Sequence, residues 1–267
     1  MVDYTATKYF LVDVSNFDFQ SIFAKHQFDV CINCSGAADV NDSVSHPSRD
    51  FELNTRNVFL LLNAIRQFNP KCRFIQISSA AVYGNPSTLP VRENSLLNPL
   101  SPYGFHKLMS ENICREFYEM YNIQSCVLRI FSAYGIGLKK QLFWDLYQKF
   151  SNKNQIELFG TGDESRDFIY IDDINRCIEL IILKSDFKLD IYNIANGIEI
   201  KISEIAETFA SLLKSQKKII FNNQVRIGNP LNWCADISRL EALGYKPIVN
   251  LENGLQQYIA WLNENGF

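Results

Sequence analysis

A tyrosine and a lysine four residues apart, Tyr103 and Lys107, open a long amphipathic stretch. Upstream, a strand-like run, Phe74-Ile75-Gln76-Ile77, ends in two hydroxyls, Ser78 and Ser79. Residues four apart lie on one helix face, so an ammonium sits beside a phenol. An isolated phenol titrates near ~10, too high for a base at neutral pH. A fixed cation nearby favours the phenolate and draws that value down. A serine hydroxyl close by can hold a substrate oxygen while the proton moves. Together these groups suit moving a hydride on or off a carbinol carbon.

The elements that must position them alternate between strand and helix, which argues an α/β fold with a parallel sheet. Strands are predicted at 9–14, 29–34, 74–78 and 125–131, and helices at 17–26, 47–68 and 103–121. In the helix over 47–68 the apolar face runs through Phe51, Val58, Leu61, Leu62 and Ile65. Between Gly84 and Pro102 lies a proline-rich stretch without periodicity, a lining or lid joining the two catalytic segments. Beyond Gly135 the pattern predicts helices at 140–152, 172–183, 202–213, 238–243 and 251–265, with Asp172 or Asp173 capping the second of them. Strands are predicted at 156–159, 167–171 and 189–194, with an edge strand at 218–221.

With 267 residues, 47% hydrophobic and 21% charged, the protein can bury a sizeable core. A net charge of −3 offers no basic field for nucleic acid or a membrane surface. No apolar run is long enough to cross a bilayer and no signal peptide opens the chain, so the cytoplasm is the expected location. Seven cysteines without regular spacing argue against a disulfide framework. Cys31 and Cys34 form a C-x-x-C, but no second pair or histidine cluster completes a metal site; they read as packed strand residues, and no metal is expected.

Several segments in order carry a resemblance. Asp29-Val30-Cys31-Ile32-Asn33-Cys34-Ser35-Gly36-Ala37-Ala38 reads as a strand ending in a small-residue turn. Ser79 stands four before Tyr83, ahead of Tyr103 and Lys107. Leu128-Arg129-Ile130-Phe131-Ser132-Ala133-Tyr134-Gly135 follows, then Gly160-Thr161-Gly162 and Ser165-Arg166-Asp167-Phe168-Ile169-Tyr170-Ile171-Asp172-Asp173. Tyr192-Asn193-Ile194-Ala195-Asn196-Gly197 and Ala235-Asp236-Ile237-Ser238-Arg239 complete the series. From about Lys8 onward the sequence resembles the extended short-chain dehydrogenase/reductases, the NAD-dependent epimerase/dehydratase family that includes UDP-glucose 4-epimerase.

The resemblance implies a doubly wound, Rossmann-like parallel sheet over residues 1–135, to which 167–195 returns, and a smaller substrate-binding lobe over 136–166 and 196–267. It implies Ser79, Tyr103 and Lys107 as the catalytic set. Asp13, Val14, Ser35, Gly36, Ala37, Asn54 and Ile130, with Tyr103 and Lys107, would face NAD or NADP. Ser132, Arg166 and Arg226, with Ser79 and Tyr103, would face a nucleotide-activated sugar. Ser132 replaces the family's usual Asn and Arg226 precedes an Asn229 where Asp is usual, so hexose contacts should differ. His106 reads as flanking rather than catalytic, and His26 and His46 as surface residues. Family dehydratases carry an Asp-Glu pair directly after the hydroxyl residue; Ala80 and Ala81 stand there instead, which favours a 4-epimerase or 4-ketosugar reductase. A homodimer through helices 47–68 and 103–121 is the family-level expectation.

The sequence contains no G-x-x-G-x-x-G or G-x-G-x-x-G turn, the family's anchor for the cofactor pyrophosphate. The expected sheet is therefore N-terminally truncated, with weakened cofactor binding. Its strand at 29–34 would carry an unpaired edge, which either the first strand slides across to cover or poor solubility betrays. The alternative reading is a catalytically impaired sugar-nucleotide-binding remnant or an incomplete chain.

Overall fold

Short apolar runs bounded by turn residues, each followed by an amphipathic stretch, fold as parallel strands covered by helices on both faces. The computed structural model describes residues 13–14, 17–224, 228 and 230–267. In the first half these are α1 (Phe19–Lys25), β1 (Val30–Asn33), α2 (Val40–Ser45), α3 (Pro47–Phe51), α4 (Asn57–Phe68), β2 (Arg73–Ser79), α5 (Pro102–Tyr121), β3 (Ser125–Ile130) and β4 (Ser132–Tyr134). The second half holds α6 (Gln141–Asn152), β5 (Gln155–Leu158), β6 (Ser165–Tyr170), α7 (Ile171–Lys184), β7 (Lys188–Ile194), β8 (Glu199–Lys201), α8 (Ile202–Leu212), β9 (Lys218–Phe221), α9 (Ser238–Ala242) and α10 (Leu251–Glu264).

The main sheet runs β1-β2-β3-β7, parallel throughout. Its register sets Cys31 opposite Phe74, Ile75 opposite Cys126, and Leu128 opposite Tyr192. Alternation splits the strands between two cores. Phe74 and Val127 pack with α1, α4 and α5 through Phe23, Leu62, Ile65 and Phe117. Ile75, Cys126 and Leu128 pack on the opposite face with Ile174, Cys177 and Ile181 of α7 and Leu240 of α9. Each fully buried Leu, Ile or Phe here contributes about 1.5–3 kcal/mol.

Past β3 the polypeptide builds a third core, rich in aromatic residues. Tyr134, Phe143, Phe168, Phe209 and Tyr258 meet there, joining α6, α8 and α10 to β6. β6 pairs parallel with β4 and antiparallel with β8, and β9 pairs parallel with β5. The stretch from Gly84 to Pro102 is pinned rather than loose: Val91 N donates to the Cys234 carbonyl at 2.8 Å, and Trp233 Nε1 to the Gly84 carbonyl at 3.0 Å.

Several expectations change. The helix over 47–68 is interrupted by a π-helical turn, Glu52–Arg56, and the shifted phase leaves Phe51 39% exposed instead of inward. The cap of α7 is Tyr170, whose side chain makes no capping hydrogen bond. Asp173 is fully buried within the first turn and accepts from the Ile248 and Val249 amides at 3.1 and 3.0 Å, so its carboxylate fastens a distant loop instead. Cys34 falls in the turn after β1 and is exposed. The helix Val40–Ser45 and strands Ser132–Tyr134 and Glu199–Lys201 were not foreseen; each is too short to carry a period. Most of the strand expected at 9–14 lies outside the described residues; Asp13 is exposed and Val14 sits in a turn, neither within a strand. Among the described residues β1 pairs with β2 alone, leaving Ile32 39% exposed.

Candidate functional site

The carboxyl ends of parallel strands are where α/β folds bind ligands, and β2 ends there in Ser79. Its Oγ accepts from the Ala81 amide at 3.2 Å and so starts the 3-10 turn Ala80–Tyr83. Facing it, α5 begins at Pro102 behind Ser101, whose Oγ accepts from the Gly104 amide at 3.2 Å. Gly104 allows this approach: a Cβ there would lie 2.8 Å from the Ala81 carbonyl oxygen. Tyr103, Lys107 and Glu111, at successive i+4 positions, are all buried on the face toward β2.

Burial pushes the Tyr103 phenol up to about 12; the neighbouring Ser79 side chain works against this by favouring the phenolate, and the Asp50 charge adds to the rise. This corrects the expectation that Lys107 draws the phenol down. The Lys107 Nζ lies 5.8 Å from the Tyr103 ring centroid and donates to the Ile77 carbonyl at 3.0 Å, so desolvation of the ring wins. Burial lowers Lys107 itself to about 8, against the opposing pull of Asp50, Glu111 and Cys34.

Behind the strand, Ser78 Oγ donates to Glu111 Oε1 at 2.5 Å, and Arg129 clasps the same carboxylate with Nη2 at 2.7 Å and Nε at 3.0 Å. Arg129 Nη1 continues to the Tyr83 hydroxyl at 2.9 Å, which donates to Asn193 Oδ1 at 2.6 Å. Glu111, Arg129, Tyr83 and Asn193 are all buried, and this network fixes the strand end that carries Ser79.

On the other side of Lys107 lies the turn after β1. Gly36 adopts φ +129, and a Cβ there would sit 2.5 Å from Asn54 Oδ1 and 3.5 Å from Lys107 Nζ. Asn54 is buried; its Nδ2 donates to Asp50 Oδ1 at 3.0 Å, while Oδ1 has no partner among the described residues. The Ser35 hydroxyl turns back to Asn33 Oδ1 at 2.6 Å, and Ala37 is half-buried.

Of the remaining predicted residues, Ile130 stands opposite Ser79 in the β2–β3 register and is half-buried. Ser132 opens β4 opposite Phe168. The Arg166 guanidinium lies 5.5 Å from the Trp233 ring centroid and donates to the carbonyls of Ser165, Leu231 and Pro230 at 2.7–2.9 Å. Burial lowers its pKa to about 10. Arg226 lies outside the described residues, but Gly228 packs near Ser101, the cap of α5: a Cβ on Gly228 would meet Ser101 Cβ at 3.2 Å. The structure thus brings together Ser79, Tyr103, Lys107, Gly36 and Asn54, with Ile130 alongside; Asp13 and Val14 are described only as a short N-terminal piece. Among the described residues no group of three or more His, Cys, Asp or Glu is arranged to hold a metal, and no helix is long and apolar enough to cross a membrane.

Two functional-looking carboxylates escaped the sequence reading. Glu111 was signalled by its i+4 spacing from Lys107. Asp50 is i−4 from Asn54, but its contact with the site through His106 spans 56 residues of chain and leaves no local pattern.

Comparison with known proteins places this architecture. The profile of the NAD dependent epimerase/dehydratase family matches residues 5–195. The chain belongs to that family. A UDP-glucuronate 4-epimerase from Thermodesulfobacterium geofontis is 27% identical over 263 residues, 97% of this chain and 80% of the relative. A dTDP-glucose 4,6-dehydratase from Escherichia coli is 26% identical over 271 residues, 91% of this chain and 75% of the relative. The crystal structure of UDP-glucuronic acid 4-epimerase from Bacillus cereus, in complex with UDP-glucuronic acid and NAD, matches with a TM-score of 0.87 at 28% identity, covering 95% of this chain and 81% of that one.

Proposed function

We propose that this protein catalyses hydride transfer at carbon 4 of a nucleotide-activated hexose, as a 4-epimerase, with NAD or NADP as cofactor. The observation that carries this reading is the meeting of Ser79, Tyr103 and Lys107 at the carboxyl end of β2, in a family whose relatives are named as 4-epimerases and a 4,6-dehydratase. Dehydration is disfavoured because Ala80 and Ala81 follow Ser79, and two methyl groups supply neither base nor acid for eliminating water.

The surroundings of Lys107 suit the cofactor. Asn54 Oδ1 is a buried acceptor without a partner among the described residues, and Gly36 keeps open the space that a Cβ would fill between it and Lys107. In this reading Gly36, Ala37, Ser35, Asn54, Ile130 and Lys107 line the cofactor. Bound there, the cofactor would supply a hydride acceptor and donor for carbon 4 and, in its oxidised form, positive charge. Ser79 holds the carbon 4 oxygen. Tyr103, protonated at neutral pH with its pKa near 12, gives its proton to that oxygen as the ketone is reduced. In the opposite direction, positive charge beside the ring favours the phenolate, and the Lys107 ammonium supplies part of it. Arg166 and Arg226 hold the diphosphate, a task that suits the guanidinium fork, and Ser132 contacts the sugar. Residues 1–135 with 167–195 form the cofactor half, and 136–166 with 196–267 the sugar-nucleotide half.

A homodimer completes the proposal. Phe51, Phe59, Phe105 and Met109 on α3, α4 and α5 are 39–49% exposed, an apolar surface suited to a second copy. The second reading is a sugar-nucleotide binder with impaired turnover or an incomplete chain, since the 267 residues hold no glycine-rich pyrophosphate turn. Incubation with UDP- and dTDP-hexoses, followed by NMR of the carbon 4 proton, separates the readings. Inversion at carbon 4 without net cofactor consumption supports the epimerase. Stoichiometric consumption of NAD(P)H with a 4-ketosugar identifies a reductase, and binding without either change identifies the impaired form.

A further inference from the structure

Trp233 is buried where several segments meet and has no part in the steps above. It belongs to a small core with Tyr83, Val91 and Phe131, and the Phe131 ring stands edge-on to it with centroids 5.8 Å apart. Its indole Nε1 donates to the Gly84 carbonyl at 3.0 Å, at the end of the 3-10 turn that Ser79 starts. Its own amide donates to the Ser165 carbonyl at 3.2 Å, and the Arg166 guanidinium lies over its ring at 5.5 Å from the centroid. Two more bonds hold the same segment to the same turn and loop. The Leu231 amide donates to Asn85 Oδ1 at 2.6 Å, and the Val91 amide to the Cys234 carbonyl at 2.8 Å. Residues 231–234 are thus stitched to β6 on one side and to residues 84–91 on the other.

We propose that Trp233 is a positioning residue for Arg166: its indole is the platform that holds the guanidinium in one plane, and its N–H moors that platform to the turn beginning at Ser79. This rests on the reading of Arg166 as a group that holds the diphosphate. An arginine has five N–H donors in a fixed plane. Three of them meet main-chain carbonyls: Nη1 donates to Ser165 at 2.7 Å and to Leu231 at 2.9 Å, and Nη2 to Pro230 at 2.9 Å. Among the described residues this leaves Nε and the second hydrogen of Nη2 for an anionic oxygen. Carbonyl dipoles and a π face orient the guanidinium without cancelling its charge. Glu164, two residues earlier, turns its carboxylate to the Thr161 and Gly162 amides at 3.1 and 3.0 Å. The carbonyls of Pro230 and Leu231 belong to the segment that Trp233 anchors, so the stack and the hydrogen bonds stand or fall together. Without the ring, the side chain turns and its free donors lose their common aim.

The test reads Arg166 both directly and through a ligand. Trp233→Phe keeps an aromatic face and gives up the N–H; Trp233→Leu gives up both. In arginine-labelled protein the Arg166 Nε–H signal, assigned by its loss in Arg166→Met, is followed by NMR. UDP and dTDP, which share the diphosphate, are titrated by calorimetry against each variant with and without Arg166→Met. The expected result is an Nε–H that exchanges with water about tenfold faster in Trp233→Leu and stays near the parent in Trp233→Phe. Nucleotide affinity falls about tenfold in Trp233→Leu and no more than about threefold in Trp233→Phe. Beside Arg166→Met, Trp233→Leu adds no further loss, whereas a merely structural tryptophan weakens binding in both backgrounds alike. An equal fall beside Arg166→Met, or an Nε–H signal unmoved in Trp233→Leu, overturns the proposal. A parent that binds neither nucleotide removes the diphosphate reading of Arg166, and the Nε–H comparison then decides the positioning role alone. Where Trp233→Leu does not fold, Trp233→Met, which fills more of the space without a ring, takes its place.

Discussion

At the scale of the residue, the site is a contest between desolvation and charge. The phenol of Tyr103 loses it, rising to about 12, and the ammonium of Lys107 is carried down to about 8. The sign follows directly: with its pKa below the ordinary lysine value, Lys107 is charged at pH 7 and neutral once pH passes about 8. Activity that needs the ammonium should therefore fall as pH rises through about 8, read as the basic limb of kcat. Lys107→Arg keeps its charge at every accessible pH, so the surviving activity of that variant should lose the limb, whatever its level. A limb unchanged by the substitution would assign it to another group.

At the scale of the element, α5 and the end of β2 are one unit, tied by the buried Ser78–Glu111–Arg129–Tyr83 network. Glu111→Gln leaves Arg129 buried without its counter-charge, and urea denaturation should report a loss of about 3–5 kcal/mol. A loss below about 1 kcal/mol would mean that the pair does not carry this end of the sheet. The elements of this unit were legible in the sequence because each is long enough to express its period: strand runs ending in Ser79 and Ile130, and a helix of 20 residues with Tyr103 and Lys107 on one face. The small-residue turn at Gly36 was legible too. What was not legible depended on partners far along the chain. Asp173 looked like a cap and Phe51 like core, and Asp50 gave no signal; a loop 75 residues away, a π-helical turn and a contact 56 residues away decide their places. The depressed phenol failed for a related reason, since sequence spacing gives neighbours but not how deeply they are buried.

At the scale of the whole molecule, a Rossmann-type parallel sheet is joined by an aromatic-rich core that α6, α8 and α10 build with β6. The exposed apolar surface on α3, α4 and α5 should make the protein a dimer in sedimentation, and Phe105→Glu should shift it to monomer without loss of helix signal; a parent that sediments as a monomer would contradict this. The central claim, that the Tyr103 phenol passes the proton at carbon 4, is tested most directly by Tyr103→Phe. Nucleotide-sugar and cofactor affinity are measured by titration alongside carbon 4 inversion. The account predicts affinities within a few-fold of the parent and turnover lower by about 10²–10⁴-fold. A phenylalanine variant that inverts carbon 4 at the parental rate would contradict it.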